Sequence, residues 1–371
     1  MSQTQAARSE PSVALGVGLT AVVFLLVQLG ALALVPDFSA AGLQATPDPS
    51  DPTNAVVYVG AILVMTGLML AAFKFGVDQL VRIVILLTSG LLSWYVFAVV
   101  LPGPAAVVAA ALVPVALLVY PEWYVIDATG AVIGAAAAGV FGISFGLLPA
   151  ILLLIVLAVY DAISVYGTEH MLDLASGVMD LNIPVVLVIP LTLEYSLLDD
   201  DPAAEAAGLD ETEAAETDPS DGTEAAETAA GGRAGTVADG SGSTDTTDVA
   251  PPDADTTDDP TERTTDDDGE RDVFFVGLGD AVMPTVLVAS AAFFSPAPSL
   301  GVPGLAGLNL PALLGMVGTF AGLAVLLKWV LAGRAHAGLP LLNGGTLAGY
   351  LVGSVLAGVP LVTALGLGPY L

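Results

Sequence analysis

The chain has 371 residues, 55% of them hydrophobic, with no cysteine, two histidines and a net charge of −30. The absence of cysteine rules out a disulfide, a thiolate metal site and a cysteine nucleophile. The acidic balance argues against nucleic acid as a partner.

The mean hydropathy is +0.82, and long apolar runs recur almost from end to end. A run of about 20 apolar residues crosses the hydrocarbon core of a bilayer. Helix 1 is expected at Ser12–Val35, followed by a Pro/Asp-rich connection at Pro36–Thr53. The apolar stretch of helix 1 is longer than the roughly 7–15 residues of a signal-peptide core, so it reads as a retained helix. Helix 2 follows at Asn54–Phe73 and helix 3 at Leu80–Leu101, closed by the turn signal Pro102-Gly-Pro104. Helix 4 is expected at Pro104–Tyr120, helix 5 at Ala128–Ile143 and helix 6 from Leu148 to Tyr166. Asn182–Pro190, an aliphatic run between prolines, is too short to span and reads as a strand or re-entrant piece. Helix 7 is expected at Val273–Phe294, helix 8 at Leu310–Leu331 and helix 9 at Pro340–Val359. The expected fold is an all-α membrane protein of nine transmembrane helices.

Charge is concentrated between helices 6 and 7. Asp199–Asp272 holds 25 of the 38 acids and 3 of the 8 bases, a net charge of −22. Such a segment cannot bury enough apolar surface to offset its ordering entropy, and reads as a disordered loop. The chain then divides into residues 1–196, the acidic loop 197–272, and residues 273–371. An acid-rich, lysine-poor composition is that of proteins from salt-rich cytoplasm, as in a halophilic archaeon. Arg8, Lys74, Arg82, Arg233, Arg263, Arg271, Lys328 and Arg334 all fall on one side of a nine-helix arrangement. The positive-inside rule puts that side, with the N-terminus, in the cytoplasm and the C-terminus outside.

Charges within spans are expensive and mark function. Asp161 on helix 6 and Asp280 on helix 7 are the two carboxylates expected at depth; Asp78, Glu122 and Asp127 are read as lying in connections. Two close carboxyls in a dry site share a proton. The ionised member can activate water while the protonated member donates to a carbonyl, the division used in aspartic proteolysis. Asp161 follows Tyr160, which either hydrogen-bonds near the acids or packs. Asp280 closes Gly277-Leu278-Gly279-Asp280, whose glycines let a second backbone approach. Neither a metal nor a cofactor is expected, and two histidines near helix ends are too few for a metal site.

With Tyr160-Asp161 on the sixth helix, Gly277-Leu-Gly-Asp280 on the seventh and a long loop between them, the chain resembles the presenilin and signal peptide peptidase family of intramembrane aspartyl proteases, particularly its archaeal members. The resemblance covers nearly the whole chain. It implies that Asp161 and Asp280 are the catalytic pair and that the substrates are transmembrane helices or remnant signal peptides. The family's Pro-Ala-Leu motif opens helix 9. Here a literal Pro311-Ala312-Leu313 opens helix 8, while helix 9 begins Pro340-Leu341-Leu342, the residues assigned to the role by topology. From physics alone, Pro340 reads equally well as an ordinary helix start. An unwound substrate needs backbone partners in a dry environment, and pairing as an added strand with Ile183–Ile189, or with residues just before Gly277, would supply them.

Other readings of the two acids are an ion- or proton-coupled transporter, a prepilin-type peptidase, or a helix-joining hydrogen bond. No inverted repeat of the common transporter kind is visible. Lipid is the expected surroundings, and assembly as a homo-oligomer is left open.

Overall fold

A computed structural model of the chain describes residues 10–167, 186–193, 195–197, 273–331 and 337–371. The acidic loop expected at 197–272 lies almost entirely outside these residues. Among the described residues, nine helices of 17 to 31 residues run in the order α1 (Glu10–Ala40), α2 (Thr53–Lys74), α3 (Asp78–Val100), α4 (Gly103–Val119), α5 (Trp123–Ser144), α6 (Leu147–Gly167), α7 (Leu278–Phe294), α8 (Leu310–Leu331) and α9 (Gly338–Leu356), with a short α10 (Leu361–Ala364). Seven are long and apolar enough to cross a membrane; α4 and α7 are shorter apolar helices. The protein is a multi-pass membrane protein.

Lipid in place of water explains how residues are sorted. Outer helices carry apolar residues on the surface as well as inside, and α2 exposes Val56, Val57, Leu63, Val64, Met65 and Leu68. Inner helices are picked out by small residues. In α5 most of the run from Thr129 to Ser144 is buried, and in α7 burial extends from Ala281 to Ala292 with Met283 as the one break. Gly142 lets the α5 backbone touch Ala289 of α7, and Gly30 of α1 meets Ala135.

The tightest seam joins α8 and α9. Gly318 and Gly322 on α8 face Gly345 and Leu341 on α9, and Gly349 and Gly353 face Leu314 and Pro311. A Cβ on Gly318 would run into the carbonyl of Gly345, and one on Gly349 into that of Leu314. Helices in lipid gain little from apolar area between them, so close backbone packing and interhelical hydrogen bonds hold them together. Thr319 and Thr346 add a buried hydroxyl pair at 2.7 Å across this seam, and Asn343 donates to the Leu154 carbonyl of α6 at 3.0 Å.

Three expectations are corrected. Helix 1 does not end at Val35 but runs through Pro36 to Ala40, because Phe38 is fully buried beside Gly139. Helix 5 starts at Trp123, five residues early, which draws Asp127 into its first turns. Helix 7 does not begin at Val273. Val273–Gly277 is a strand, β2, paired antiparallel with β1 (Val186–Pro190) in the register Val186 to Gly277, Val188 to Phe275 and Pro190 to Val273. The β-branched and aromatic run Val-Phe-Phe-Val suits a strand once a partner is present, and the short strand expected within Asn182–Pro190 provides it.

Because the glycine seam leaves no room for a side chain, Gly345→Val is expected to lower stability by about 1–3 kcal/mol. Thermal unfolding of the purified protein in detergent measures this, with Gly344→Val, whose Cβ would meet nothing within 4 Å, as the neutral control.

Candidate active site

Three helix ends build the site. Asp161 stands six residues before the end of α6. Asp280 is in the first turn of α7, directly after β2. The third end is the start of α9, where the first backbone N–H groups have no partner within the helix. One of them, from Leu339, donates to Asp161 Oδ2 at 3.0 Å. One residue earlier, Gly338 lies against the other acid: a Cβ there would sit 3.3 Å from Asp280 Oδ2. The first turn of α9 therefore touches both carboxyls, which lie close enough to interact through their charge. Asp161 is buried at 8% exposure, and Asp280 is half-buried.

The glycines of Gly277-Leu278-Gly279-Asp280 leave space instead of packing helices. A Cβ on Gly277 would meet nothing nearer than Asp280 Oδ2 at 3.6 Å, and one on Gly279 would meet nothing within 4 Å. Both glycines are exposed. Leu278 instead packs inward, toward Gly134 of α5. Among the described residues, Asp280 thus has protein against one side and open space beside its two glycines.

The remaining predicted residues are dispersed. Tyr160 is 39% exposed and makes no hydrogen bond among the described residues. Pro340 occupies the third position of α9, where a missing N–H leaves no helical bond unmade. Leu341 presents its carbonyl to Gly322, and Leu342 is fully buried in a cluster with Phe24, Val27, Ala281 and Leu326. These two seat α9 against its neighbours, while Gly338 and Leu339, which the sequence reading did not single out, reach the acids. The signal for them was available: a Gly-Leu-Pro helix start exposes its leading N–H groups. The literal Pro311-Ala312-Leu313 lies at the other end of α7, where Asn309 joins Ala291 to Ala312. Eleven residues of helical rise separate Ala291 from Asp280, about 16 Å.

Residues 21–359 match the family described as signal-peptide peptidase, presenilin aspartyl protease. The chain belongs to this family. It is similar to a presenilin family intramembrane aspartate protease solved in two crystal forms. In one, the identity is 27% and the TM-score 0.55, with 92% of this chain and 99% of that chain covered. In the other, the identity is 28% and the TM-score 0.53, with 91% and 97% covered. No curated protein sequence matches. The nine-helix arrangement is therefore a presenilin-like fold, and the family is one of intramembrane aspartyl endopeptidases.

In this presenilin-family protein, a Cβ on Gly338 would press on Asp280 Oδ2 at 3.3 Å with Leu326 Cδ2 behind it at 3.4 Å, so one of the two side chains has to shift. Gly338→Ala is expected to displace the Asp280 carboxyl and lower kcat about tenfold with KM little changed, measured as initial rates on a labelled transmembrane peptide in detergent.

Proposed function

We propose that the protein hydrolyses peptide bonds within transmembrane helices or remnant signal peptides, with Asp161 and Asp280 as the catalytic pair. The observation that carries this reading is the convergence of both carboxyls on the first turn of α9. A water held between them loses a proton to the ionised carboxyl while its oxygen attacks the scissile carbonyl carbon. The protonated carboxyl gives its proton to the carbonyl oxygen, leaving a neutral gem-diol. As the C–N bond breaks, the amide nitrogen takes up the first proton and a diol hydroxyl returns the second, so the pair ends with one proton, as it began. The Leu339 N–H holds the Asp161 carboxyl in a fixed orientation throughout. Gly277, Leu278, Gly279, Pro340, Leu341 and Leu342 serve this pair by leaving space or seating its helices, and Tyr160, next to Asp161 in the chain and 39% exposed, is available to the substrate.

A substrate helix must be unwound before its peptide bonds can be reached, and its freed backbone groups need partners. We assign that role to the outer edge of β2. β1 is buried from Leu187 onward, whereas Phe275 is 40% exposed and Gly277 is exposed. A strand added along β2 would run beside Asp280, five residues beyond Phe275. In a vesicle assay with a labelled transmembrane peptide, Asp161→Asn and Asp280→Asn are each expected to abolish cleavage, a loss of at least about 1,000-fold. Phe275→Pro, which removes one outward N–H, is expected to raise KM. Wild-type rates in either Asn variant would end the proposal, and ion flux without cleavage would turn it toward a transporter.

We read the chain as two helical parts, 1–196 and 273–371, joined by the acidic segment 197–272, with the N-terminus in the cytoplasm and the C-terminus outside. Lys74, Arg82 and Lys328 support that orientation by their places at the end of α2, the start of α3 and the end of α8. The chain lacks native thiols, so single cysteines can test it: Phe75→Cys is expected to react with an impermeant maleimide from the cytoplasmic side only, and Leu300→Cys from the outside only.

A further inference from the structure

Two buried carboxylates take no part in the chemistry just described. Asp127, in the second turn of α5, is 4% exposed, and Glu122, at the N-cap of α5, is 5% exposed. Both are spent on one stretch of chain. Asp127 Oδ1 accepts the Val188 N–H at 2.8 Å. Glu122 Oε1 accepts the Ser196 hydroxyl at 2.7 Å, and its Oε2 accepts the Leu197 N–H at 3.2 Å. The start of α5 therefore grips both β1 and the residues that follow it. Asp127 Oδ2 is buried with no hydrogen-bond partner among the described residues, an expensive placement for a group of this kind in lipid-facing protein.

The ladder shows what the grip does. In an antiparallel pair, opposed residues alternate between those that exchange hydrogen bonds and those whose N–H and C=O point away from the partner strand. The Val188 N–H goes to Asp127, so the Val188–Phe275 pair is of the outward kind. Pro190, two residues on and opposite Val273, is of the same kind, and its lack of an N–H removes nothing from the ladder. Asp127 thus occupies the outer edge of β1. Val188 also packs in a cluster with Leu117 of α4 and Ile126 of α5, which holds β1 against those helices. The outward N–H and C=O of Phe275 point from the opposite edge, which is unpaired among the described residues. Unpaired strand edges accept another strand readily, and among the described residues this sheet has one edge sealed by a carboxylate and one left open.

We propose that Asp127 and Glu122 form a positioning clamp that fixes the β1–β2 pair against α5, so that a substrate strand is received at β2 alone and in one register relative to Asp280. This rests on the protease reading and on strand addition at β2. Neither acid touches the scissile bond. The clamp acts through the sheet, and its loss lets β1 drift and the receiving edge with it.

The test uses the full chain in phosphatidylcholine–phosphatidylglycerol vesicles, with a labelled transmembrane peptide, mass spectrometry of the products, and amide exchange over 186–190 and 273–277 without substrate. Asp127→Ala is expected to speed exchange of 186–190 about tenfold, raise KM about tenfold, keep kcat within about threefold, and spread cleavage over neighbouring bonds. Asp127→Asn keeps an acceptor for the Val188 N–H and is expected to restore the wild-type pattern. Unchanged exchange, KM and product pattern in Asp127→Ala would overturn the clamp, as would an Asn variant as impaired as the Ala one. If Asp127→Ala does not fold, Glu122→Ala loosens the other end, and the same readouts must move or the idea is lost. If wild type cuts nothing, the protease reading fails on its own, and the exchange rates alone still decide whether the clamp exists.

Discussion

On the proposed reading, the constraint the rest of the structure serves is holding two acidic side chains near one helix start where water is scarce. A carboxylate in such a place is costly unless hydrogen bonds and neighbours compensate, and two of them oppose each other through an interior that screens charge poorly. The protein meets this with very little polar material. One backbone N–H from Leu339 reaches Asp161, and one side-chain-free residue, Gly338, lets α9 come up against Asp280. The acids sit on α6 and α7, but what brings them into a common site is the beginning of a third helix that carries no charge of its own.

That dependence explains where the tight packing lies. The position of the first turn of α9 is only as well defined as the rest of the helix, and α9 is held against α8 by backbone meeting backbone at Gly318, Gly322, Gly345, Gly349 and Gly353. Side chains can rotate, whereas carbonyl against Cα has no slack. Asn343, one turn beyond Leu339, ties the same helix to α6 through the Leu154 carbonyl. The small residues of α9 therefore belong to the site as much as the acids do, although none beyond Gly338 approaches them.

Much of this was legible from hydropathy and from the placement of two acids among 38. The helix count, the two Asp-bearing segments and a short strand before the acidic stretch all follow from local sequence, because lipid forces each span to declare itself in one continuous apolar run. What local sequence does not carry is partnership. Val273–Gly277 reads as part of a helix until the strand at Val186–Pro190 is beside it. Asp127 reads as a loop residue because its acceptor is used by Val188, 61 residues away. Pro340 drew attention as a helix signal, yet its consequence falls on the two residues before it, whose backbone a motif of side chains does not advertise.

One further consequence comes from the junction at Gly277, where strand becomes helix with no loop between them. Phe275 and Asp280 are parts of a single stiff piece, so on the proposed reading the interval between the place where a substrate is gripped and the place where it is cut is set by covalent geometry. Such a device works as a ruler. It would choose a bond by counting residues along the guest chain instead of by inspecting its side chains, and so a single small site could serve many unrelated apolar sequences.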